Sequence, residues 1–193
     1  MFSDPKDVER IIESLLFVSK EPLGMERLSA LLPEIKPELI RTAINSLTEE
    51  YKGREGGFHL CKVAGGYQFR TQPQCKNWVK RLNQSSPLRI SRAALETLTI
   101  VAYKQPVIRS DIEHIRGVDS GGVIRNLLDL KLIRVLGRKD IPGRPLIYAT
   151  TRYFLEIFGL SDIKDLPTLK EIEALEKKQG DPALADQEEK TLT

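Results

Sequence analysis

The residue types that most often carry chemistry are scarce in this 193-residue chain: two cysteines, Cys61 and Cys75, and two histidines, His59 and His114. A structural zinc site needs four convergent ligands, and no C-x-x-C brings the cysteines together. Cys75 falls on one helical stripe with Trp78, Val79 and Leu82, which assigns it to core packing. His59 sits in a strand pattern and His114 on a short helical one, and no serine or cysteine is spaced to form a nucleophile–base pair with either. There is no G-x-x-x-x-G-K-[ST], so no P-loop. The Gly-Gly pairs at 56–57, 65–66 and 121–122 fit turns and a helix start. Acidic residues are scattered along solvent faces rather than paired. These observations speak against an enzyme, and no catalytic residue, metal or cofactor is expected.

One segment does not read as filler. GRKDIPGRPLIY, residues 137–148, packs Arg138, Lys139, Asp140 and Arg144 with two glycines and two prolines between apolar runs. Prolines that restrict φ around a permissive glycine make a stiff, tightly bent tip. With Arg134 it forms a basic hairpin. From the residues alone it is a solvated tip, a contact to a protein, or a contact to a phosphate backbone.

The formal net charge is +3, unevenly spread: residues 161–193 hold 5 Lys/Arg against 9 Asp/Glu, which is −4 and leaves +7 on residues 1–160. A mild positive field attracts DNA or an acidic protein without choosing between them. No apolar run approaches the ~18 residues of a membrane span. The N-terminus MFSDPKDVER carries acids where a signal peptide is basic and then apolar. A cytoplasmic protein with no membrane partner is expected.

The elements follow from periodicity and punctuation. Asp4 and Pro5 open a helix with Val8, Ile11, Ile12, Leu15 and Leu16 on one face, ending near Lys20 before Pro22. A short helix spans Met25–Leu32, and Pro37 opens a third carrying Leu39, Ile40, Ala43, Ile44 and Leu47. Strands at Phe58–Val63 and Tyr67–Thr71 flank a Gly65-Gly66 turn. A fourth helix starts at Pro73. NQSSP, residues 83–87, is a polar linker closed by proline.

The order then repeats. Ser91 caps a helix to Tyr103, with Ile90 and Leu95 as its hydrophobic staple. Ser110 and Glu113 form a capping box for a short helix ended by Gly117, and a third starts near Ser120. Two strands flank 137–148, and Thr151–Phe158 is a last short helix closed by Gly159. LLFVSKEPL (15–23) lies over TIVAYKQPV (99–107), and LIRTAI (39–44) over VIRNLL (123–128), at a constant offset of 84. Such a duplication organises a fold. Each copy is three helices, a hairpin and a helix, so the fold class is mainly α with small β wings: two tandem winged-helix domains, residues 1–84 and 88–160. Residues 161–193 form an acidic tail with a short amphipathic run through Leu166, Leu169, Ile172 and Leu175, expected to be mostly disordered.

Winged helices read DNA by laying the third helix in the major groove, with basic residues on phosphates. The first third helix offers Glu38, Arg41, Thr42, Asn45, Thr48 and Glu49 outward; the second offers Gly121, Gly122, Arg125, Asn126 and Asp129. Both are poor surfaces for phosphates. A DNA-binding winged-helix transcriptional regulator is therefore the alternative rather than the first reading. Conversely, TTRYFLEIFGL places Tyr153, Phe154, Leu155, Ile157 and Phe158 on one short helix. A small core cannot take them all, so a partner or a second copy should cover some.

AALETLTIVAYKQPVIRSDIEHIRGVDS, VIRNLLDLKLI and GRKDIPGRPLIYATTRYFLEIFGL together resemble the bacterial segregation and condensation protein B family, densely over the second half and through Val8–Leu16 and KEPL in the first. The resemblance implies a non-enzymatic, kite-type subunit of the SMC–kleisin condensin complex, active in chromosome condensation and segregation during cell division. It implies a homodimer formed chiefly by the N-terminal winged helix, which binds the kleisin (segregation and condensation protein A) and through it the SMC ATPase, in the cytoplasm at the nucleoid. On that basis Tyr103, Arg125, Tyr148, Phe154 and Phe158 are candidate kleisin contacts, and Leu16, Phe17, Tyr67 and Phe69 candidate dimer contacts. Arg134, Arg138, Lys139 and Arg144 are candidates for a weak, unspecific DNA contact or a partner's rim.

Overall fold

Asp4 accepts the Lys6 amide at 3.0 Å and Pro5 follows it, so the first helix starts where the capping residues demand. A computed structural model of the chain describes residues 4–82, 90–168, 170–172 and 174. α1 (Pro5–Val18) buries Val8, Ile12 and Leu16 and half-buries Ile11 and Leu15. It stops two residues before Lys20, because Ser19 is extended and its hydroxyl turns to the Glu21 carbonyl at 2.6 Å. α2 (Met25–Leu31) and α3 (Pro37–Gly53) complete the three-helix unit around Leu28, Ile40, Ile44 and Leu47.

β1 (Phe58–Val63) and β2 (Gly66–Thr71) pair antiparallel as the wing, with Val63 opposite Gly66. The turn is therefore Ala64-Gly65, both at positive φ (49° and 70°), one residue earlier than the glycine pair implied. Gly66 is a glycine for another reason: a Cβ there would lie 2.7 Å from the Leu23 carbonyl carbon. Leu23 pairs with Tyr67 and adds a third, one-bridge strand. Tyr51, Phe58 and Phe69 close this half as an aromatic cluster, with ring centroids 4.7–5.6 Å apart.

After a 3-10 turn (Pro73–Cys75), α4 (Lys76–Leu82) corrects an expectation. It buries nothing: Trp78 is 66% and Leu82 82% exposed, and Cys75 is half-buried. Its stripe has the right spacing, but among the described residues Trp78 and Leu82 stay at the surface rather than in a core. The linker at 83–87 lies outside the described residues.

α5 (Arg92–Lys104) is capped by the Ser91 hydroxyl, which accepts the Ala94 amide at 3.2 Å. The chain then forms β3 (Val107–Ile108), α6 (Arg109–Arg116), α7 (Gly121–Asp129), β4 (Ile133–Arg138), β5 (Leu146–Thr150) and α8 (Arg152–Phe158). The three strands order as β3-β5-β4, all antiparallel. Val107 pairing with Tyr148 is the counterpart of Leu23 pairing with Tyr67, since 23 and 107 differ by the repeat offset. The duplication read in the sequence is thus a duplication of pairing: two tandem winged helices.

The Ser110–Glu113 capping box does not form. α6 begins at Arg109, two residues before the start that a Ser110 cap implies, so Ser110 lies inside it. Glu113 instead accepts the Arg109 guanidinium at 2.7 Å and the Ser120 amide at 2.9 Å, tying α6 to the start of α7. The Ser120 amide and then Arg109 hold its carboxyl below the usual range. Gly117 and Gly159 end α6 and α8 in the left-handed region, as their type allows.

Residues up to Ser161 form one compact unit that contains both winged helices; those from Asp162 form a second. In the latter Asp162 caps a 3-10 turn (Ile163–Asp165), and residues 170–172 and 174 are helical. Most of the tail expected to be disordered, with Leu169 and Leu175 of its amphipathic run, lies outside the described residues.

Candidate partner-docking surfaces

α8 is where short length and apolar content conflict most. Its seven residues sit between the Thr151 cap, whose hydroxyl accepts the Phe154 amide at 3.1 Å, and Gly159. Phe154 turns inward and is buried, while Tyr153, Ile157 and Phe158 stay 41–44% exposed. Tyr153 and Ile157 form one i,i+4 stripe; Phe154 and Phe158 form the next, their rings 4.8 Å apart. The result is an apolar ridge on a buried anchor.

Both ends of α8 are held by the first wing. Arg152 donates Nε to the Ala64 carbonyl at 2.8 Å and Nη2 to the Pro22 carbonyl at 3.3 Å. Arg70 donates to the Glu156 carbonyl at 2.7 Å, where the last turn of a helix carries unpaired acceptors and negative dipole. The turn amides of Ala64 and Gly65 donate to Leu160 and Ser161 carbonyls at 2.8 and 2.9 Å. The Ser161 hydroxyl donates to the Lys62 carbonyl at 3.1 Å. No sequence pattern marks this clamp, since all its acceptors are backbone carbonyls.

Of the candidate kleisin contacts, the fold removes two from the surface. Tyr148 sits in the central strand β5 and is buried, and Phe154 is the α8 anchor. Their placement as exposed-looking positions is corrected: central-strand pairing claims one and the helix's inner stripe the other. Tyr103, on α5, and Phe158 are exposed, as is Arg125 on α7.

Of the candidate dimer contacts, Leu16 is core, one turn inside the apolar face of α1. Tyr67 and Phe69 pack half-buried against the same core. Phe17, by contrast, is 76% exposed and Val18 77%. On the flank of the same helix, Ile11, Leu15 and Val18 line a shallow apolar groove of about 460 Å³.

The second wing tip is exposed throughout: Arg134, Arg138, Lys139 and Arg144 all face solvent. Its stiffness is internal. The Lys139 amide reaches the Pro145 carbonyl at 2.9 Å, and the Arg138 guanidinium reaches the Arg144 carbonyl at 3.0 Å. Gly143 and Arg144 bend the tip at φ 82° and 39°.

Comparison with known proteins gives a consistent set. A family model described as "Segregation and condensation complex subunit ScpB" matches residues 10–169. A segregation and condensation protein B of Syntrophotalea carbinolica is 51% identical over 90% of this chain and 88% of its own length. One of Myxococcus xanthus is 46% identical over 87% of this chain, which spans about half (51%) of that relative. Among solved structures, ScpB from Mycobacterium tuberculosis is 31% identical over 83% of this chain and 99% of its own, with a TM-score of 0.39.

Proposed function

The chain belongs to the family of segregation and condensation complex subunits ScpB, and from that premise we propose that it is a non-enzymatic docking subunit. As a homodimer it binds the kleisin, segregation and condensation protein A, and through it joins an SMC ATPase that condenses and segregates chromosomes in the cytoplasm at the nucleoid. Residues 1–84 dimerise, residues 88–160 take the kleisin, and residues 161–193 are a tail.

The observation that carries this reading is the α8 ridge. Three large apolar side chains, Tyr153, Ile157 and Phe158, stay open beside the buried Phe154. A helix of the partner laid across them recovers that area, with polar rims setting orientation. Tyr103 and Arg125 are the further contacts proposed from the second half. On the first half, Phe17 with the α1 flank is the proposed dimer surface, backed by Tyr67 and Phe69. The wing residues Arg134, Arg138, Lys139 and Arg144 are assigned to a partner's rim or weak, unspecific DNA contact.

A groove-reading regulator fits less well. The first wing tip has its turn amides and carbonyls engaged by residues 152–161 and is not available to a DNA groove. The exposed face of α3 carries Glu38 and Glu49 beside Arg41, which repels phosphate as much as it attracts.

The test is the mass of the protein alone and mixed with the kleisin from the same organism. Ile157→Asp and Phe158→Asp should each weaken kleisin capture at least tenfold with dimer mass unchanged, and Phe17→Asp should give monomer. Phe154→Asp is no probe, because a buried charge there unfolds the half. Unchanged capture in both α8 variants removes the ridge, and a specific nanomolar duplex site for the isolated protein sinks the docking reading.

A further inference from the structure

The second wing projects where the first is tied down. Residues 134–144 are exposed without a break, so the hairpin stands out into solvent as a ribbon. It carries four cations, Arg134, Arg138, Lys139 and Arg144, against one carboxylate, Asp140, a net +3. None of the five forms an ion pair with another described residue. The pairing of β4 with β5 then decides where the charges go. Val135 faces Tyr148 and Gly137 faces Ile147, so Leu136 is the extra residue of a bulge. Arg134 and Arg138, four apart, would share one face of a regular strand. Across the bulge Arg134 lies opposite Ala149 and Arg138 opposite Leu146, three apart on β5 and therefore on opposite faces. The ribbon is cationic on both sides. It is also held in shape by its own bonds, from the Lys139 amide to the Pro145 carbonyl at 2.9 Å and from Arg138 to the Arg144 carbonyl at 3.0 Å.

We propose that the second wing enters a groove of duplex DNA and holds phosphates of both strands without reading sequence. A duplex groove admits a two-stranded β-ribbon, and both its walls are phosphate backbone. Cations on two faces of the ribbon therefore each meet an anion, whereas a flat acidic surface would serve one face only. Residues 133–148 contain no Asn, Gln, Ser or Thr, so the ribbon lacks the amide side chains that read adenine and its contacts position rather than specify. An acidic peptide is the weaker occupant. Val135, Leu136 and Ile141 are exposed along the ribbon instead of lining a cleft that could seat a peptide's apolar side chains. The proposal goes beyond the docking reading and does not depend on it: the subunit gains its own hold on duplex, separate from the α8 ridge.

The test uses the full-length protein and fluorescein-labelled duplexes of two unrelated sequences, read by fluorescence anisotropy as salt is raised. Both duplexes should bind alike, with Kd of about 1–100 μM at physiological salt. Neutralising three phosphates predicts a slope of log K against log salt of about −2.7, or about fortyfold between about 50 and 200 mM. Arg134→Ala combined with Lys139→Ala and Arg144→Ala should flatten the slope by about that amount and weaken both duplexes at least tenfold at the lower salt. Asp140→Asn removes the one carboxylate and should tighten both about twofold, a gain that misfolding does not produce, so it decides if the triple variant fails to fold by circular dichroism. Arg41→Ala and Arg125→Ala, on the third helices, should leave the duplexes unchanged. The wing assignment is overturned if the triple variant keeps the wild-type slope, if Asp140→Asn fails to tighten binding, if a third-helix variant removes binding instead, or if the two sequences differ tenfold. Loss of kleisin capture in the triple variant with duplex binding intact also overturns it, and makes the tip a partner's rim. Unchanged capture in the α8 variants refutes the ridge alone and leaves the wing standing.

Discussion

The two wings occupy the same place in their halves and end in opposite ways. The first closes in two residues, Ala64 and Gly65, and its turn amides and the Ala64 carbonyl are bonded to residues 152–161. The second runs out through residues 139–145 and bonds only to itself among the described residues. One hairpin has become a structural joint and the other a free, basic tip. Duplication therefore conserved the pairing scheme, Leu23 with Tyr67 and Val107 with Tyr148, while the loop beyond it diverged in role. A wing is informative about function only once its tip is known to be free.

That contrast can be broken at a chosen residue. The largest effect should come from Gly66→Ala, whose methyl would meet the Leu23 and Gly24 backbone at 2.7–2.9 Å. Separating the wing from that backbone should lower stability by about 2–3 kcal/mol. Gly122→Ala, in α7 with no atom within 4 Å of its Cβ, should instead raise it by about 0.5–1 kcal/mol. Chemical denaturation of both variants checks the pair, and equal effects would mean that the first joint is no tighter than open helix surface.

Next in size is the clamp. Arg70→Ala with Arg152→Ala removes three guanidinium bonds to carbonyls and should cost about 2 kcal/mol, discounted because these groups are near solvent. Calorimetry should then resolve two melting steps where the wild type gives one. A single shifted step would show that the turn amides alone hold the halves together.

The smallest effect is a pH dependence confined to the first half. Burial, and then the Glu13 carboxylate that accepts its proton, push the Tyr51 hydroxyl up to about 12 from 10.0. The folded state therefore holds this proton more tightly than the unfolded chain. Its contribution is full below pH 10 and fades as the pH rises through about 12. Thermal melts of the wild type should lose stability in that window more steeply than those of Tyr51→Phe.

Much of the fold was legible because its signals are local. Asp4, Pro5, Ser91, Gly117 and Gly159 act through their own backbone, so each cap or stop lies where its residue type puts it. The internal repeat carried the winged-helix order from one half to the other. Three readings that needed a neighbour came out differently. The Trp78 stripe stayed at the surface among the described residues, the wing turn fell one residue early because Gly66 faces Leu23, and Glu113 bonded to Ser120 and Arg109 rather than capping α6.

The candidate surfaces divide along the same line. An excess of apolar residues on α8 was visible in TTRYFLEIFGL, because five such side chains exceed what one side of two turns can bury. Which of them stay outside depended on helix phase against a core built from distant strands. That phase put Phe154 in and left Phe158 out, as the neighbouring sheet did for Tyr148. The sequence by itself determined the element order, the duplication and the family. Tertiary structure alone decided which wing tip is bonded to other elements and which aromatics a partner can reach. Each of those depends on backbone carbonyls and burial contributed by residues far away in the chain, and neither has a side-chain signature to read.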